Sequence, residues 1–404
     1  MKNFNEYFLM NETDVLDYVK EKTDLFSDDS DLESKEIGDG NLNYVFRVVD
    51  VNSDVSVIVK QAGEVTRISE DMRISIDRIR IESNILKLQG KHATGLVPKV
   101  YLYDDVMNCF LMEDLSDHEI MREGLLSYKI YPKFADHITT FMVNTLLPTT
   151  DVVMDHKEKK ELLKSFINPD LCEISEELVY TEPFNDYNNR NLVFEDNKEW
   201  VEKNIYNDSE LKLEVAKLKF AFMNNAQALI HGDLHTGSVF ITEELTKVID
   251  PEFAFYGPMG YDVGNVIANL IFAYMNGYVN DKKEFIEWLE KTIEEVVDKF
   301  KSKFVDYWKD NVSDIMAKEA GFMEWYLSEV LKDTAGVAGL ELSRRIIGMA
   351  QVKDITSIED TEYRLFAERV CLSLAKELII NRDKFNEGKH FTDKLKENVN
   401  KYSA

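Results

Sequence analysis

The sequence predicts an α+β protein of two lobes, in which a small β-rich lobe with one helix precedes a larger, mainly helical lobe. Two observations lead to this prediction. Alternating apolar residues and polar turns, which are typical of β-strands, recur in the first part of the chain. Apolar residues spaced three or four apart, which are typical of helices, dominate after residue 114. We therefore expect residues 1–114 to form the N-terminal lobe and residues 115–404 the C-terminal lobe.

A β-hairpin is expected over residues 37–60. Apolar residues alternate over 44–48, a polar turn follows at 52–54, and valines alternate again over 55–59. Alternation with a period of two on both sides of a polar turn indicates two paired strands. The small lobe therefore begins with a hairpin.

A helix is expected next, over residues 70–89, with Gly90 as its stop. Its apolar stripe consists of Ile74, Ile81, Ile85 and Leu88. Strand-like segments at 100–103 and 110–112 complete the small lobe. In the second lobe the clearest helical pattern runs from about residue 284 to residue 308.

Composition excludes several classes of function. Lys and Arg number 48 against 75 Asp and Glu, which gives a formal charge of −27. Such a charge repels nucleic acid and anionic membranes, so neither is an expected partner. The 3 cysteines are scattered, and no apolar run is long enough to span a membrane. A cytoplasmic location is the simplest expectation.

The strongest chemical signal is the segment 231–238, which reads His-Gly-Asp-Leu-His-Thr-Gly-Ser. Apolar runs at 239–242 and 247–249 follow it, separated by a short polar turn. If these runs pair as a hairpin, the chain returns and brings Asp250 close to Asp233. Two carboxylates then converge on one spot.

Convergent carboxylates beside a glycine-containing loop suit metal-assisted phosphoryl transfer. Asp233 would orient the attacking hydroxyl, while Asp250 and Glu252 would hold Mg²⁺, which prefers oxygen ligands. The alternative is that Asp233 only caps a turn and Asp250 only ends a strand.

Two histidines in the same segment, His231 and His235, have the spacing of a helical zinc site. Gly232 and Gly237 break any helix there, which argues against zinc. A histidine that hydrogen-bonds the loop backbone is expected instead.

The hairpin opens with a glycine loop at 37–43, Ile-Gly-Asp-Gly-Asn-Leu-Asn. Its glycines would let backbone N–H groups approach phosphate oxygens. The loop matches neither a Rossmann fingerprint nor a Walker loop, and an ordinary glycine turn remains the alternative.

Lys60 ends the second strand of the hairpin, where its ammonium could reach nucleotide phosphates. Glu82 shares a helical stripe with Ile79 and Leu86, where an unpaired carboxylate would be costly. We therefore predict an ion pair between Lys60 and Glu82. The alternative is that both are solvated charges.

The segment 112–115, Met-Glu-Asp-Leu, follows an apolar strand at the change from β to helical composition. A segment that links two lobes exposes backbone donors and acceptors to the cleft, which suits adenine recognition. Its acidic side chains could instead simply face water.

In this order the features resemble those of the protein-kinase-like fold, in its aminoglycoside phosphotransferase and choline kinase branch. Segments 36–43, 231–238 and 250–264 look closest to the 5-methylthioribose kinase family, and the third is the most specific. The resemblance implies ATP and Mg²⁺ as cofactors and a homodimer. It also implies phosphorylation of 5-methylthioribose to its 1-phosphate in methionine salvage. Open alternatives are a kinase acting on an aminoglycoside, choline or homoserine, and a non-catalytic nucleotide-binding scaffold.

The resemblance also assigns roles to individual residues. It implies that Asp233, Arg344 and Arg345 contact the substrate, with Asp233 as the catalytic residue. It implies metal binding at Asp250, Glu252 and Ser238, the last standing where most relatives have a metal-binding Asn. The expected nucleotide contacts are Gly38, Gly40, Asn41, Asn43, Lys60, Glu82, Met112, Glu113, Asp114, Leu115, Asp250, Pro251 and Glu252. For the arginines, a surface ion pair between one of them and Glu341 remains the alternative.

Overall fold

The computed structural model describes residues 3–37, 43–63 and 75–403. Its N-terminal part is built on an antiparallel sheet of five strands in the order β1-β2-β3-β5-β4. The elements are α1 (Glu12–Lys22), β1 (Leu32–Glu36), β2 (Asn43–Asp50), β3 (Ser56–Ala62), α2 (Arg78–His92), β4 (Val100–Asp104) and β5 (Cys109–Glu113). The predicted hairpin, with its turn near residues 52–54, is confirmed as β2 and β3.

The sequence predicts one helix in the small lobe, and the structure adds a second, α1. Asn11 begins α1 with a capping box, because its side chain accepts from the N–H groups of Thr13 and Asp14. Val15 and Tyr18 of this helix are fully buried in a cluster that includes apolar residues of β2, β3 and β5. The helix therefore covers one face of the sheet.

Helix α2 differs from its predicted bounds. It begins at Arg78 and ends at His92, so Gly90 lies inside the helix and is not its stop. The glycine with a positive φ, of 85°, is Gly95, in the turn that follows. Of the predicted stripe, Ile81 and Ile85 are buried and Leu88 is half-buried, while Ile74 lies outside the described residues; Glu82 has no exposed surface.

The larger part of the protein is mainly helical. Its elements are β6 (Glu119–Ile120), α3 (Met121–Leu126), α4 (Phe134–Leu146), α5 (His156–Ser165), α6 (Pro169–Leu178), α7 (Lys198–Val201), α8 (Ser209–Asn224), β7 (Ala228–Ile230), β8 (Val239–Ile241), β9 (Thr246–Val248), β10 (Phe255–Gly257), α9 (Gly260–Val279), α10 (Lys283–Asn311), α11 (Phe322–Ile347), α12 (Lys353–Thr356), α13 (Thr361–Ile380) and α14 (Gly388–Ser403). The helix predicted near residues 284–308 is confirmed as α10. The predicted α+β fold class is likewise confirmed.

Helices α9 and α11 pack closely at the centre of this helical part. A Cβ atom at Gly264 would lie 2.6 Å from the carbonyl oxygen of Thr334, so only glycine allows this approach. The contact fixes the start of α9 relative to α11, and both helices carry side chains of the site described below. Among the described residues, no helix is long and apolar enough to cross a membrane.

Candidate active site

The loop 231–238 connects β7 to β8 and is hydrogen-bonded to the first turn of α9. Buried Asp262 accepts hydrogen bonds from the backbone N–H groups of His231, at 2.8 Å, and Gly232, at 3.0 Å. Gly232 has φ of 83°, and a Cβ atom there would lie 2.4 Å from the carbonyl oxygen of Phe253. The loop conformation therefore requires glycine at this position.

His231 joins this loop to the segment that carries Asp250. Its Nε2 donates to the carbonyl oxygen of Ile249 at 2.8 Å, and its Nδ1 accepts from the N–H of Asp233 at 3.3 Å. The expected structural histidine is thus confirmed. The predicted pairing of the two apolar runs is also confirmed, as β8 with β9. Asp250, which follows β9, has a positive φ of 65°, an uncommon conformation for a residue other than glycine.

Lys60 of β3 lies among carboxylates. Its Nζ is 2.7 Å from Oε1 of Glu82 and also contacts Oδ1 of Asp250. The predicted pair of Lys60 with Glu82 is therefore confirmed, and the alternative of two solvated charges is wrong. Burial lowers the pKa of Lys60, but Asp250 and Glu82 outweigh burial and hold this pKa above its usual range, so the side chain stays charged.

Three carboxylates form an acidic cluster, which we define as Glu82, Asp250 and Glu252. Their nearest oxygens all lie within 4.8 Å of one another. Burial and the neighbouring Asp250 raise the pKa of Glu252 to about 7. Burial also raises the pKa of Glu82 to about 8, against the opposing effect of Lys60. The negative charges of these carboxylates thus repel one another more strongly than Lys60 alone can offset.

This acidic cluster fits Mg²⁺. Its ligands are hard oxygens, which Mg²⁺ prefers, and a divalent cation would favour the ionised forms of Glu82 and Glu252, whose pKa values burial and the neighbouring carboxylates raise. Oε2 of Glu82 is buried and has no hydrogen-bond partner among the described residues. The sequence predicts Ser238 as a further ligand, whereas its hydroxyl donates to the carbonyl oxygen of Asp233 at 3.1 Å. A metal role for Ser238 stays a prediction.

Glu252 is held in place by residues from both parts of the chain. Asn43, at the start of β2, donates its Nδ2 to Oε2 of Glu252 at 2.9 Å, and its Oδ1 accepts from Nε of Arg78 at 3.1 Å. Asn43 therefore contacts the acidic cluster directly. The other predicted contacts of the glycine loop, Gly38, Gly40 and Asn41, lie outside the described residues.

The backbone that carries Glu252 is also anchored. Nδ2 of Asn168 donates to the carbonyl oxygens of Glu252, at 2.8 Å, and Ala254, at 3.3 Å. The carbonyl oxygen of Pro251 accepts from the N–H of Ala254 at 3.1 Å, which closes a tight turn. These bonds fix the direction of the Glu252 side chain.

The segment 112–115 leaves the sheet at the end of β5. The Glu113 carboxylate pairs with Lys247 of β9 at 2.9 Å, and Asp114 pairs with Arg47 of β2 at 2.6 Å. These acidic side chains are ion-paired, so the alternative that they simply face water is wrong. The Glu113 N–H donates to the carbonyl oxygen of Lys99 at 2.8 Å. Adenine recognition by Met112 to Leu115 stays a prediction.

The arginine pair of α11 reaches Asp233. Nη2 of Arg344 is 3.3 Å and Nη2 of Arg345 is 3.8 Å from Oδ1 of Asp233. Both arginines also bind Glu341, which is 1% exposed. The alternative of a single pair at the surface is therefore wrong. Burial raises the pKa of Glu341, but the two arginines outweigh it and hold this pKa at about 2.

Asp233 is kept ionised. Burial raises its pKa, but His235, Arg344 and Arg345 outweigh burial and hold it well below its usual range. A carboxylate in this state accepts hydrogen bonds strongly but is a weak proton acceptor. The Asp233 carboxylate does more than cap a turn, because both of its oxygens face charged or polar side chains of the site.

Some residues of the site have no role in the sequence prediction. Asp262 lies within the segment 250–264, in the first turn of α9. The sequence gives this residue no role of its own, although it belongs to a recognised segment. Asn168 stands in a segment without any motif. Glu82 is predicted as a partner of Lys60, but its membership of the acidic cluster depends on a fold that brings α2 close to Asp250 and Glu252.

Comparisons with known proteins show the relatives of this chain. The phosphotransferase enzyme family matches residues 33–281. The methylthioribose kinase of Geobacillus sp. (strain WCH70) is 42% identical over 366 residues, which cover 90% of each chain. That of Geobacillus kaustophilus (strain HTA426) is 41% identical over 368 residues, or 91% of each. A solved choline kinase from Cryptosporidium parvum Iowa II is 12% identical, with a TM-score of 0.48 and 96% of both chains covered.

The fold and the matched family model make this chain a member of the phosphotransferase enzyme family. Within that family it belongs to the methylthioribose kinases.

Proposed function

We propose that this protein is an ATP-dependent kinase that phosphorylates the anomeric hydroxyl of 5-methylthioribose, giving 5-methylthioribose 1-phosphate in methionine salvage. One observation supports this most. Ionised Asp233 contacts the arginine pair of α11, and it is close enough to Asp250 to raise the pKa of that carboxyl. This arrangement suits an acceptor hydroxyl at Asp233 and ATP phosphates at the acidic cluster.

The nucleotide would bind between the sheet and the helical part. We assign adenine recognition to the segment 112–115 and phosphate contacts to Lys60, Asn43 and the glycine loop. Asp250 and Glu252 would hold Mg²⁺, with Glu82 nearby and Ser238 as a further candidate ligand. A bound Mg²⁺ would neutralise phosphate charge in the transition state.

Asp233 would then orient the acceptor hydroxyl. Phosphoryl transfer passes through a loose transition state, so positioning of the nucleophile counts for more than strong proton abstraction. The low pKa of Asp233 suits this role, because the carboxylate stays available as a hydrogen-bond acceptor throughout the neutral range. Arg344 and Arg345 would supply fixed donors to the sugar and to the transferred phosphoryl group.

We predict that Arg344→Ala and Arg345→Ala each raise the KM for 5-methylthioribose about tenfold or more, since each removes a charge-assisted donor. The KM for ATP should change by less than about twofold, because the acidic cluster stays intact. Steady-state kinetics with each substrate varied in turn measures both. An equal loss for ATP and sugar would mean that the arginines only support the fold around Glu341.

An acceptor screen tests the proposed function. Purified protein with ATP is offered 5-methylthioribose, ribose, choline, homoserine and an aminoglycoside, and kcat/KM is compared. We expect 5-methylthioribose to exceed ribose by at least about tenfold, because burial of the methylthio group adds roughly 1–3 kcal/mol. Equal use of ribose would overturn the methylthioribose assignment. Preference for choline, homoserine or the aminoglycoside would replace it, and failure to use any acceptor would leave a nucleotide-binding scaffold.

We also propose a lobe boundary at residue 114, a homodimer and a cytoplasmic location. The end of the sheet at Glu113 supports the boundary. The family resemblance supports the dimer and the location, and the charge of −27 argues against nucleic acid and anionic membranes as partners. Sedimentation equilibrium of the purified chain tests the dimer, and a monomer at micromolar concentration would contradict it.

A further inference from the structure

His235, in the same loop as Asp233, is held at both ring nitrogens. Its Nδ1 lies 3.1 Å from Nη2 of Arg122 and accepts from the N–H of Gly237 at 2.9 Å. The Ser238 hydroxyl is farther from Nδ1, at 3.4 Å. On the other side of the ring, Nε2 lies 3.3 Å from Oδ2 of Asp233.

These contacts determine where the ring carries its proton. A guanidinium and a backbone N–H can only donate hydrogen bonds, so Nδ1 of His235 must be the unprotonated acceptor. The proton of the neutral ring then lies on Nε2, which faces Asp233. Arg122 thus acts on Asp233 through His235, without touching the carboxylate itself.

Gly237 gives independent support for this arrangement. A Cβ atom at this position would lie 2.8 Å from Cε1 of His235 and 3.0 Å from Cζ of Arg122. Any larger residue would push the ring and the guanidinium apart. The glycine therefore makes room for their contact and also supplies the second N–H donor to Nδ1.

Arg122 is placed by neighbouring structure. It lies in the first turn of α3, directly after β6. Strand β6 pairs with β8, the strand that follows the loop 231–238. Nε of Arg122 is buried and has no hydrogen-bond partner among the described residues. A buried N–H group without a hydrogen-bond partner costs free energy of folding. Proteins tolerate this cost more readily where the side chain serves a functional site.

We propose that Arg122 is a positioning residue for phosphoryl transfer, because it fixes His235 as the neutral Nε2–H tautomer that donates to Oδ2 of Asp233. This inference rests on the proposed function, since it concerns the carboxylate that would orient the acceptor hydroxyl. With Oδ2 facing Nε2 of His235 and Oδ1 facing Arg344 and Arg345, the carboxylate has one orientation relative to the incoming hydroxyl.

The tautomer can be measured directly and without substrate. The chain has 7 histidines, so ring-¹⁵N-labelled protein gives few signals, and His235 is assigned as the signal lost in His235→Gln. We expect Nε2 to carry the proton and Nδ1 to carry none at neutral pH. A proton on Nδ1 of His235 would overturn the inference.

Kinetics tests the consequence for catalysis. Arg122→Met should lower kcat by about 10- to 100-fold, the range for partners that orient a reacting group through another residue, with the KM for ATP nearly unchanged. His235→Gln, whose longer amide can still donate toward Asp233, should retain more kcat than His235→Asn. The matched control is Arg364→Met, since Arg364 is also largely covered but binds Glu368 on α13. A loss in Arg122→Met no larger than in this control, or His235→Gln no better than His235→Asn, would overturn the inference.

The NMR and kinetic experiments together distinguish failure of this inference from failure of the proposed function. Wild-type protein that has the Nε2–H tautomer but transfers phosphate to no acceptor would sink the proposed function, and this inference with it. Active wild-type protein with the proton on Nδ1 would sink the inference alone.

Discussion

Replacing Asp233 with asparagine is expected to lower kcat by about 10³-fold, because the acceptor hydroxyl loses the carboxylate that orients it. Asparagine keeps the size of the side chain, but its amide cannot accept a hydrogen bond at both positions. It also loses the negative charge that pairs with Arg344 and Arg345. Affinity for ATP should stay within about twofold, because the acidic cluster is unchanged. Steady-state rates and a nucleotide titration measure the two effects.

The matched control for this variant is Asp208→Asn. Asp208 is also an ionised aspartate, but it caps α8 and pairs with Lys376, outside the site. It should lower the free energy of unfolding by less than about 1 kcal/mol, because asparagine also caps helices well and only the ion pair with Lys376 is lost, and it should leave kcat unchanged. Near-normal turnover of Asp233→Asn would remove this carboxylate from the mechanism.

Removal of a carboxylate from the acidic cluster should impair the use of MgATP. We expect Asp250→Ala and Glu252→Ala each to weaken Mg²⁺-dependent ATP binding and to lower kcat by about 100-fold or more, because the metal stabilises transition-state charge by several kcal/mol. ATP binding in EDTA should change far less, since no metal then links the carboxylates to phosphate. Isothermal titration with and without Mg²⁺ distinguishes these outcomes.

The metal-binding role of Glu252 needs a test that separates it from a structural role. Asn43 and Asn168 hold its side chain and its backbone, so it could serve structure alone. If the magnesium titration changes in Asp250→Ala but not in Glu252→Ala, the two-carboxylate metal site is wrong. Glu195→Ala, at a largely exposed carboxylate, controls for the general loss of negative charge.

Parts of the fold that depend on short-range patterns were predictable from the sequence. Alternation around a polar turn defines β2 and β3, and the glycine-broken segment 231–238 excludes a helical zinc site. The end of α2 was not predictable from glycine alone. Gly90 lies inside the helix, whereas the turn that needs a positive φ occurs at Gly95.

The site was predictable to the extent that its residues belong to motifs. Lys60, Asp233 and Asp250 each stand in a recognisable local pattern, and burial of Glu82 on an apolar stripe predicted its partner. Arg122 and Asn168 are different, because their roles come from packing between segments about 85 to 115 residues apart along the chain. No local pattern specifies such contacts, which only the tertiary fold creates.

The proposed reaction transfers the γ-phosphoryl group of ATP to the anomeric oxygen of 5-methylthioribose. The most direct test is ³¹P NMR of a mixture of the purified protein, ATP, Mg²⁺ and 5-methylthioribose carrying ¹³C at C1. We predict a new phosphomonoester signal that is coupled to the labelled carbon and grows in step with ADP. A phosphomonoester without coupling to C1, or inorganic phosphate formed with no sugar phosphate, would rule out this reaction.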